Sequence, residues 1–460
     1  MAKTNKTGAD AFGFNRIILT SHDGVEHSLG DGSVVTQGFM YYEDITKSFI
    51  SANLRIVDSG VNLIATAPIV GGEIVRVELT GPNDDEREYE FKVYSVTDRS
   101  INNKVQQYNL GLISPEYIDT MGAKVNQSLT GTADSIIQKV IQNYVQSSKP
   151  YLPDPVLNST FVPPSIKNPW AICAYLQDNA ILAGKSSLAE GKGSSAGSSG
   201  ATLGGTAGFL FYENAKGYNF RSIDTLCSIG DDQGIDGSRN KQEVVREFRD
   251  EPSDIKTDSS ILSVQFLSEI NILNNSMLGT YSSQAEFYDI NTGKYTKYNY
   301  SLENSYENQS HLGVNDLNQQ QKELSRTPVR RFSAILDSEV HHNGSDAGSF
   351  EEGNVTNPYQ DWTKFTLVQS FSRNILLNTQ GLKIEVPGNI DLVVGDKIRV
   401  VLPNSVDQKE REKQDIDLEN SGYYLITQLS RYFNGVDRTV TTILKLQRDS
   451  YGAPEDPIED

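Results

Sequence analysis

The sequence predicts a mainly β chain of the α+β class: two similar antiparallel β-domains, each a small barrel or sandwich, an α+β module between them, and an excursion from the second. Three observations predict it. One stretch occurs twice, as Ile69-Val70-Gly71-Gly72-Glu73-Ile74-Val75-Arg76-Val77-Glu78-Leu79 and as Leu392-Val393-Val394-Gly395-Asp396-Lys397-Ile398-Arg399-Val400-Val401-Leu402, aligned without a gap. Its flanks repeat as well, so that strand, Gly turn, strand, loop, strand, turn, strand appears in both places. The composition agrees, with 22 Tyr and 17 Phe against 4 Met, the balance of a β-rich protein.

Each copy begins with a glycine and an acid, Gly72-Glu73 or Gly395-Asp396, followed by alternating apolar and polar residues, the pattern of a half-buried strand. In the first copy the upstream strand holds Leu54-Arg55-Ile56-Val57, and Tyr89–Tyr94 and Gln106–Leu112 follow; in the second, Leu382–Val386 precedes, and Tyr423–Thr427 and Thr441–Leu446 follow. Strands at 16–20, 34–42 and 49–57, separated by Gly/Asp turns, complete a domain over 13–120 after a flexible arm, 1–12.

The texture changes near Asn126. Thr132-Ala133-Asp134 reads as the cap of a helix from Ser135 to Tyr144, and Asn168-Pro169-Trp170 opens a second helix running through Ala183, with proline in its first turn. Residues 184–207 are rich in Gly and Ser and read as a mobile loop. A strand at 208–214, a turn, and a helical turn or strand edge at 222–226 end the module at 226. The second β-domain takes 227–300 and 356–452, with 301–355 as its polar excursion, a helix from Asp361 to about Asn378, a charged loop from Asn404 to Ser421, and an acidic tail, 453–460.

The 460 residues carry a net charge of −19, which repels phosphate backbones and argues against sequence-independent nucleic-acid binding. Cys173 and Cys227 are too few for a disulfide framework and are expected as reduced, buried thiols. The polar N-terminus lacks the apolar segment of a signal peptide, and no run approaches the roughly 18 apolar residues that span a membrane.

No catalytic constellation stands out. Gly184-Lys185-Ser186 ends like a phosphate-binding loop, but Asn179 stands where the pattern needs glycine, and the segment follows a helix instead of a strand. The Gly-rich run 191–208 has no flanking strand and helix of a dinucleotide turn. His341-His342 lacks a third metal ligand at a suitable spacing, and pairing His22 with His27 is no better; His311 stands alone. The 60 acidic residues single out no carboxylate pair. No cofactor, no metal and no enzymatic activity are therefore expected.

Five segments, in order, carry a resemblance: Asn168-Pro169-Trp170-Ala171-Ile172-Cys173-Ala174-Tyr175-Leu176; Gly208-Phe209-Leu210-Phe211-Tyr212-Glu213-Asn214 on to Ser222; Met277-Leu278-Gly279-Thr280-Tyr281-Ser282-Ser283 with Tyr288-Asp289; Val386-Pro387-Gly388-Asn389-Ile390-Asp391-Leu392-Val393-Val394-Gly395-Asp396; and Leu418-Glu419-Asn420-Ser421-Gly422-Tyr423-Tyr424-Leu425-Ile426. Together they resemble the central hub of the T4-type contractile-tail phage baseplate, the family that forms the cylinder above the spike. The Gly/Ser stretch 184–207 departs from the tighter link of that family. The resemblance implies two antiparallel β-barrel tube domains per chain and a homotrimer. Six like domains would then form a ring that matches a six-fold tail tube, or its initiator protein, above and the three-fold central spike protein below, with baseplate wedge proteins around it. DNA would pass through the channel without sequence-specific contact, and there would be no stable membrane insertion. The location would be the tail baseplate of the virion, after assembly in the host cytoplasm. Arg76 and Arg399, with Glu73 and Asp396, are candidate contacts within the ring; each arginine either pairs with an acid on the adjacent domain or faces solvent. Two other readings stand beside this one: a carbohydrate-binding or hydrolytic tail protein, and the hub of a bacterial contractile injection system. In the latter, hub and needle are usually fused, and no long β-helical repeat follows the second copy here, so a separate spike is expected.

Overall fold

The computed structural model describes residues 9–452 apart from 31, 83–84, 165–166, 184–205, 229–245, 251–256, 269–270, 292, 307–308, 315, 337–362 and 405–415. Most of the Gly/Ser stretch and of the charged loop thus lie outside the described residues, as do Lys185, His341 and His342.

The first copy is built from β1 (Gly13–Thr20), β2 (Glu26–Ser28), β3 (Val34–Asp44), β4 (Ser51–Ser59), the short helix α1 (Leu63–Thr66), β5 (Ile74–Thr80), β6 (Glu86–Asn102) and β7 (Val105–Ile113). Alternation decides which face turns inward: Val75, Val77 and Leu79 of β5 are buried while Arg76 is exposed, and Ala52, Leu54 and Ile56 of β4 are buried. Helix α2 (Pro115–Thr120) leads into the middle module. That module contains β8 (Leu129–Thr132), α3 (Ala133–Val140), β9 (Tyr151–Pro153), β10 (Ser159–Val162), α4 (Pro169–Asp178), β11 (Phe209–Asn214), β12 (Gly217–Ser222) and α5 (Ile223–Cys227). Its own core includes Ile136, Ile137, Val140, Trp170, Ile172, Leu176, Phe209 and Phe220.

Two helix boundaries differ from the sequence expectation. Helix α3 starts two residues earlier, with no side-chain cap from Thr132, and widens into a π-turn at Ile141–Val145 that Gln146 ends in the left-handed region. Helix α4 is capped by Asn168, whose side chain accepts from Ala171 N–H at 2.7 Å, but it stops at Asp178 instead of continuing through Ala183. The Asn158 amide takes the chain over there, donating to the Asn179 carbonyl at 2.7 Å and accepting from Ile181 N–H at 2.9 Å.

The remainder runs β13 (Arg246–Arg249), β14 (Ser263–Ser268), α6 (Ile272–Leu278), β15 (Ser282–Asp289), β16 (Tyr295–Ser301), α7 (Leu302–Tyr306), α8 (Gln319–Leu324), β17 (Arg330–Leu336), α9 (Thr363–Leu376), β18 (Gln380–Pro387), β19 (Lys397–Val401), β20 (Gly422–Asn434) and β21 (Thr439–Arg448). The stretch 282–300, read from the sequence with the second β-domain, lies elsewhere. Strands β15, β16 and β17 form a separate three-stranded sheet over a small core with Tyr281, Phe287, Tyr300, Val368 and Leu376. Strand β13 had no sequence signal, because Phe248 is its one buried residue and it pairs parallel to β19 as a four-residue strip.

The two repeats have one topology. The first gives the order β4-β7-β6-β5 and the second β18-β21-β20-β19, with every one of these pairs antiparallel. The register matches at the residue level: Leu110 lies opposite Val96 and Leu54 in one, and Leu444 opposite Leu429 and Ile384 in the other. A bulge falls at the same place, between Val93 and Ser95 on β6 and between Ile426 and Gln428 on β20; β6 has a further shift between Thr97 and Ser100 that β20 lacks, after which Ile101 and Phe433 again hold equivalent positions. Both repeats belong to one 13-stranded sheet over one shared core.

Candidate functional site

The sheet is continuous because β20 serves three neighbours. Its start pairs with β19, its length from Leu425 to Asn434 pairs with β21, and on the other edge Gln428 to Asn434 carries β3 of the first repeat. Facing residues seal this join. Phe39 and Phe433 lie opposite each other and stack with ring centroids 5.7 Å apart, and both are buried. Arg431 lies opposite Tyr41, with its guanidinium 5.5 Å from the ring centre and bonded to the Leu392 carbonyl.

Beside them Glu43, fully buried on β3, fastens three parts of the chain. Its Oε1 accepts from Tyr41 Oη–H at 2.6 Å and from Ala215 N–H at 2.8 Å, and its Oε2 accepts from Val394 N–H at 2.8 Å. Burial raises the Glu43 pKa, while the Arg431 charge and these donors pull it back. One carboxylate thus ties the first repeat to the Gly turn of the second and to the β11–β12 hairpin of the module. The hairpin adds Asn214 Nδ2–H to Val394 O at 3.0 Å and Lys216 Nζ to Asp396 at 3.2 Å. On its other side Glu213, also buried, accepts from Ser114 Oγ–H at 2.7 Å and from Lys149 Nζ at 2.6 Å.

The repeated Gly-acid pair now has a physical reason. Gly72 and Gly395 hold φ of 95° and 93°, where a side chain is strained. The acid that follows caps the turn, with Val70 N–H donating to Glu73 at 2.7 Å and Val393 N–H donating to Asp396 at 3.0 Å. Glu73 and Asp396 therefore have equivalent roles inside the chain. The arginines occupy matched positions but pair on opposite sides: Arg76 lies opposite Glu90 of β6 and pairs with it at 2.8 Å, whereas Arg399 has Tyr423 opposite it on β20 and pairs with Glu247 of β13 at 3.2 Å. The turns differ in their surroundings. Val393 is 3% exposed under Glu43 and the hairpin, whereas its counterpart Val70 is 79% exposed.

A second buried charge cluster lies where the excursion meets the end of β21. Asp449 accepts from His311 Nδ1 at 2.7 Å, Arg373 Nη1 at 2.9 Å and Leu312 N–H at 3.0 Å. His311 Nε2 lies 3.0 Å from the Tyr306 carbonyl, so both ring nitrogens face acceptors. Asp224 of α5 accepts from Ser310 N–H at 2.6 Å and lies 3.8 Å from Arg373. Burial opposes ionisation of Asp449, but His311 and Arg373 outweigh it and hold the carboxyl well below the usual range. These contacts tie α5, the excursion, α9 and β21 together. His22 sits beside the first Gly turn, 3.1 Å from the Gly71 carbonyl. Cys173 and Cys227 are buried and unpaired as disulfides, and burial pushes both thiols up.

Sequence reading missed Glu43 and Arg431, yet strand parity carried a signal. Glu43 shares the inward parity of Phe39 and Tyr41, and Arg431 that of Leu429 and Phe433. Among the described residues no helix is long and apolar enough to cross a membrane, and no group of three His, Cys, Asp or Glu is placed to hold a metal.

No family model matches the chain, and no curated protein does. Among solved structures, a tail protein from Neisseria meningitidis MC58 is similar in fold at 10% identity and a TM-score of 0.50, covering 95% of this chain and 97% of that one. The 43 kDa tail protein of prophage MuSo2 from Shewanella oneidensis is similar at 9% identity and a TM-score of 0.50, covering 94% of this chain and 98% of that one. The likeness is one of fold.

Proposed function

We propose that the chain is a structural hub protein of a contractile phage tail baseplate, three copies of which form a ring of six like β-domains around the DNA channel. The observation that carries this reading is the duplicated four-strand topology, with matched register and bulge, already joined edge to edge inside one chain. A duplicated domain gives a trimer six similar units, which reconciles a three-fold spike with a six-fold tube. The fold shared along nearly the whole chain with two proteins described as tail proteins supports it. In this reading the partners are a further two copies of the chain, a central spike, a tail tube or tube initiator, and the wedge proteins. In this reading the chain acts as a structural part and not as an enzyme, and its net charge of −19 keeps DNA from adhering as it passes.

The test is the solution mass by light scattering together with negative-stain images. A trimer with a central opening is expected. A stable monomer or dimer at assembly concentrations, or a trimer with no opening, overturns the reading.

A further inference from the structure

The two repeats have the same strands but not the same neighbours, and the difference identifies two unused edges. In the second repeat the outer half of β20 is covered by β21 on one side and β3 on the other. Its counterpart β6 pairs with β5 through Lys92 and with β7 from Lys92 to Asn102, and among the described residues nothing pairs with its other edge from Ser95 to Asn102. The mirror situation holds for the strand on the far side of the join. Strand β3 lies between β4 and β20, whereas its counterpart β14 pairs with β18 alone among the described residues.

Side chains at matched positions follow the same division. Ile101 takes the place of Phe433, since Gln106 and Val440 lie opposite them at equivalent points of β7 and β21. Ile101 is 63% exposed and Phe433 0%. Phe266 takes the place of Tyr41, and here the values are 46% and 0%. Exposed Val70 against buried Val393 is a third pair of this kind. Strand edges left unpaired are templates for a further strand, and the in-chain join shows which strand fits.

We propose that β6 of one chain adds edge to edge to β14 of the next, repeating between chains the join that β20 and β3 make within one. This rests on the ring reading above and specifies its interface. Each chain then offers one donor edge and one acceptor edge, a head-to-tail contact that closes into a ring when the rotation fits. Three chains make six joins, three internal and three between chains. Carrying the in-chain register across the equivalent positions sets Ile101 opposite Val264 and Asn102 opposite Ser263, as Phe433 is opposite Phe39 and Asn434 opposite Gly38.

Ile101→Cys with Val264→Cys in one chain tests the pairing. Facing strand residues have Cα atoms about 4.5–5.5 Å apart, within the disulfide range of about 4.4–6.8 Å. Mild oxidation is expected to give covalent dimers and closed trimers on a non-reducing gel, with neither single variant doing so. Hydrogen exchange of the wild-type protein is the second measurement and needs no variant. Amides of 100–102 and 263–265 should slow at least tenfold in the assembled form relative to diluted monomer, while those of 428–434 stay protected in both. A trimer in which neither the crosslink nor this protection is found overturns the edge pairing and leaves the ring reading standing. A protein that never assembles overturns both.

Discussion

Glu43→Gln is the sharpest probe of how the repeats are fastened, because it keeps the shape and removes a charge and an acceptor. Oε1 of Glu43 serves Tyr41 and Ala215, and Oε2 serves Val394. If the amide oxygen takes the Oε1 position, the amide nitrogen meets Val394 N–H donor to donor; if it is turned round, two donors lose their acceptor. The smaller loss is one buried N–H without a partner, about 1–3 kcal/mol, with about 1 kcal/mol more as the remaining bonds pass from a charged to a neutral acceptor. Arg431 also loses a compensating charge, and breaking a buried pair outright costs about 3–5 kcal/mol. The raised pKa of Glu43 means that ionisation there already has a cost, which glutamine escapes. A net loss of about 2–4 kcal/mol follows, enough to raise the opening equilibrium of the join roughly 30-fold or more. Hydrogen exchange with mass spectrometry reads it directly. Peptides covering Val394 and the outer half of β20 should lose protection by that factor, while peptides of the module core around Ile137 keep theirs. Protection at Val394 and β20 within about threefold of wild type would refute the account of Glu43 as the fastening of the two repeats.

Three further predictions concern the repeat and the second cluster. Gly72→Ala and Gly395→Ala face the same backbone strain, about 1–2 kcal/mol, but a Cβ at Gly395 runs into the Tyr212 hydroxyl whereas one at Gly72 meets only the exposed His22 ring at 3.3 Å; chemical denaturation should show the Gly395 variant losing at least about 1 kcal/mol more, and equal losses would contradict the docking of the second turn. Arg373→Met removes the buried guanidinium that Asp449 and Asp224 share, leaving Asp449 with His311 alone among its side-chain partners from the excursion and α9, and should cost about 3–5 kcal/mol. Because Asp449 is held below the usual carboxylate range, its ionised form stabilises the fold above the unfolded value near 3.9, and that stability is lost as pH falls through the lower folded value. Stability measured against pH should therefore fall below about pH 4 in the wild type, and Asp449→Asn should remove this part of the slope.

Much of the β framework was legible because its signals are local. The strand alternation in Ile74–Thr80 and Lys397–Val401, and the left-handed glycines before them, follow from a pleated backbone and a tight turn, which any reader of the chain meets in sequence order. The caps and breaks of α4 were half legible: Asn168 and Pro169 mark the start, but the stop depends on Asn158 holding the Asn179 carbonyl, 21 residues away in sequence. The outer half of β6 left no periodic signal, since Ser95 to Asn102 has no buried face in the single chain. Its polar, unpatterned residues look like a loop until the counterpart β20 is seen with both edges filled.

The sequence by itself determined that a β-unit was used twice, where its turns fall, and that Arg76 matches Arg399 and Glu73 matches Asp396, because repetition and period-two burial are properties of neighbouring residues. Only the tertiary structure decided that the two units share one sheet, that β20 and β3 make the join, and that Glu43 holds it. Those facts depend on pairs such as Gln428 with Asp44 and Glu43 with Val394, separated by 384 and 351 positions. Edge-to-edge pairing is made by backbone amides common to every residue, so no side-chain pattern along the chain announces which edge meets which. Burial of the charges beside it is a consequence of that meeting.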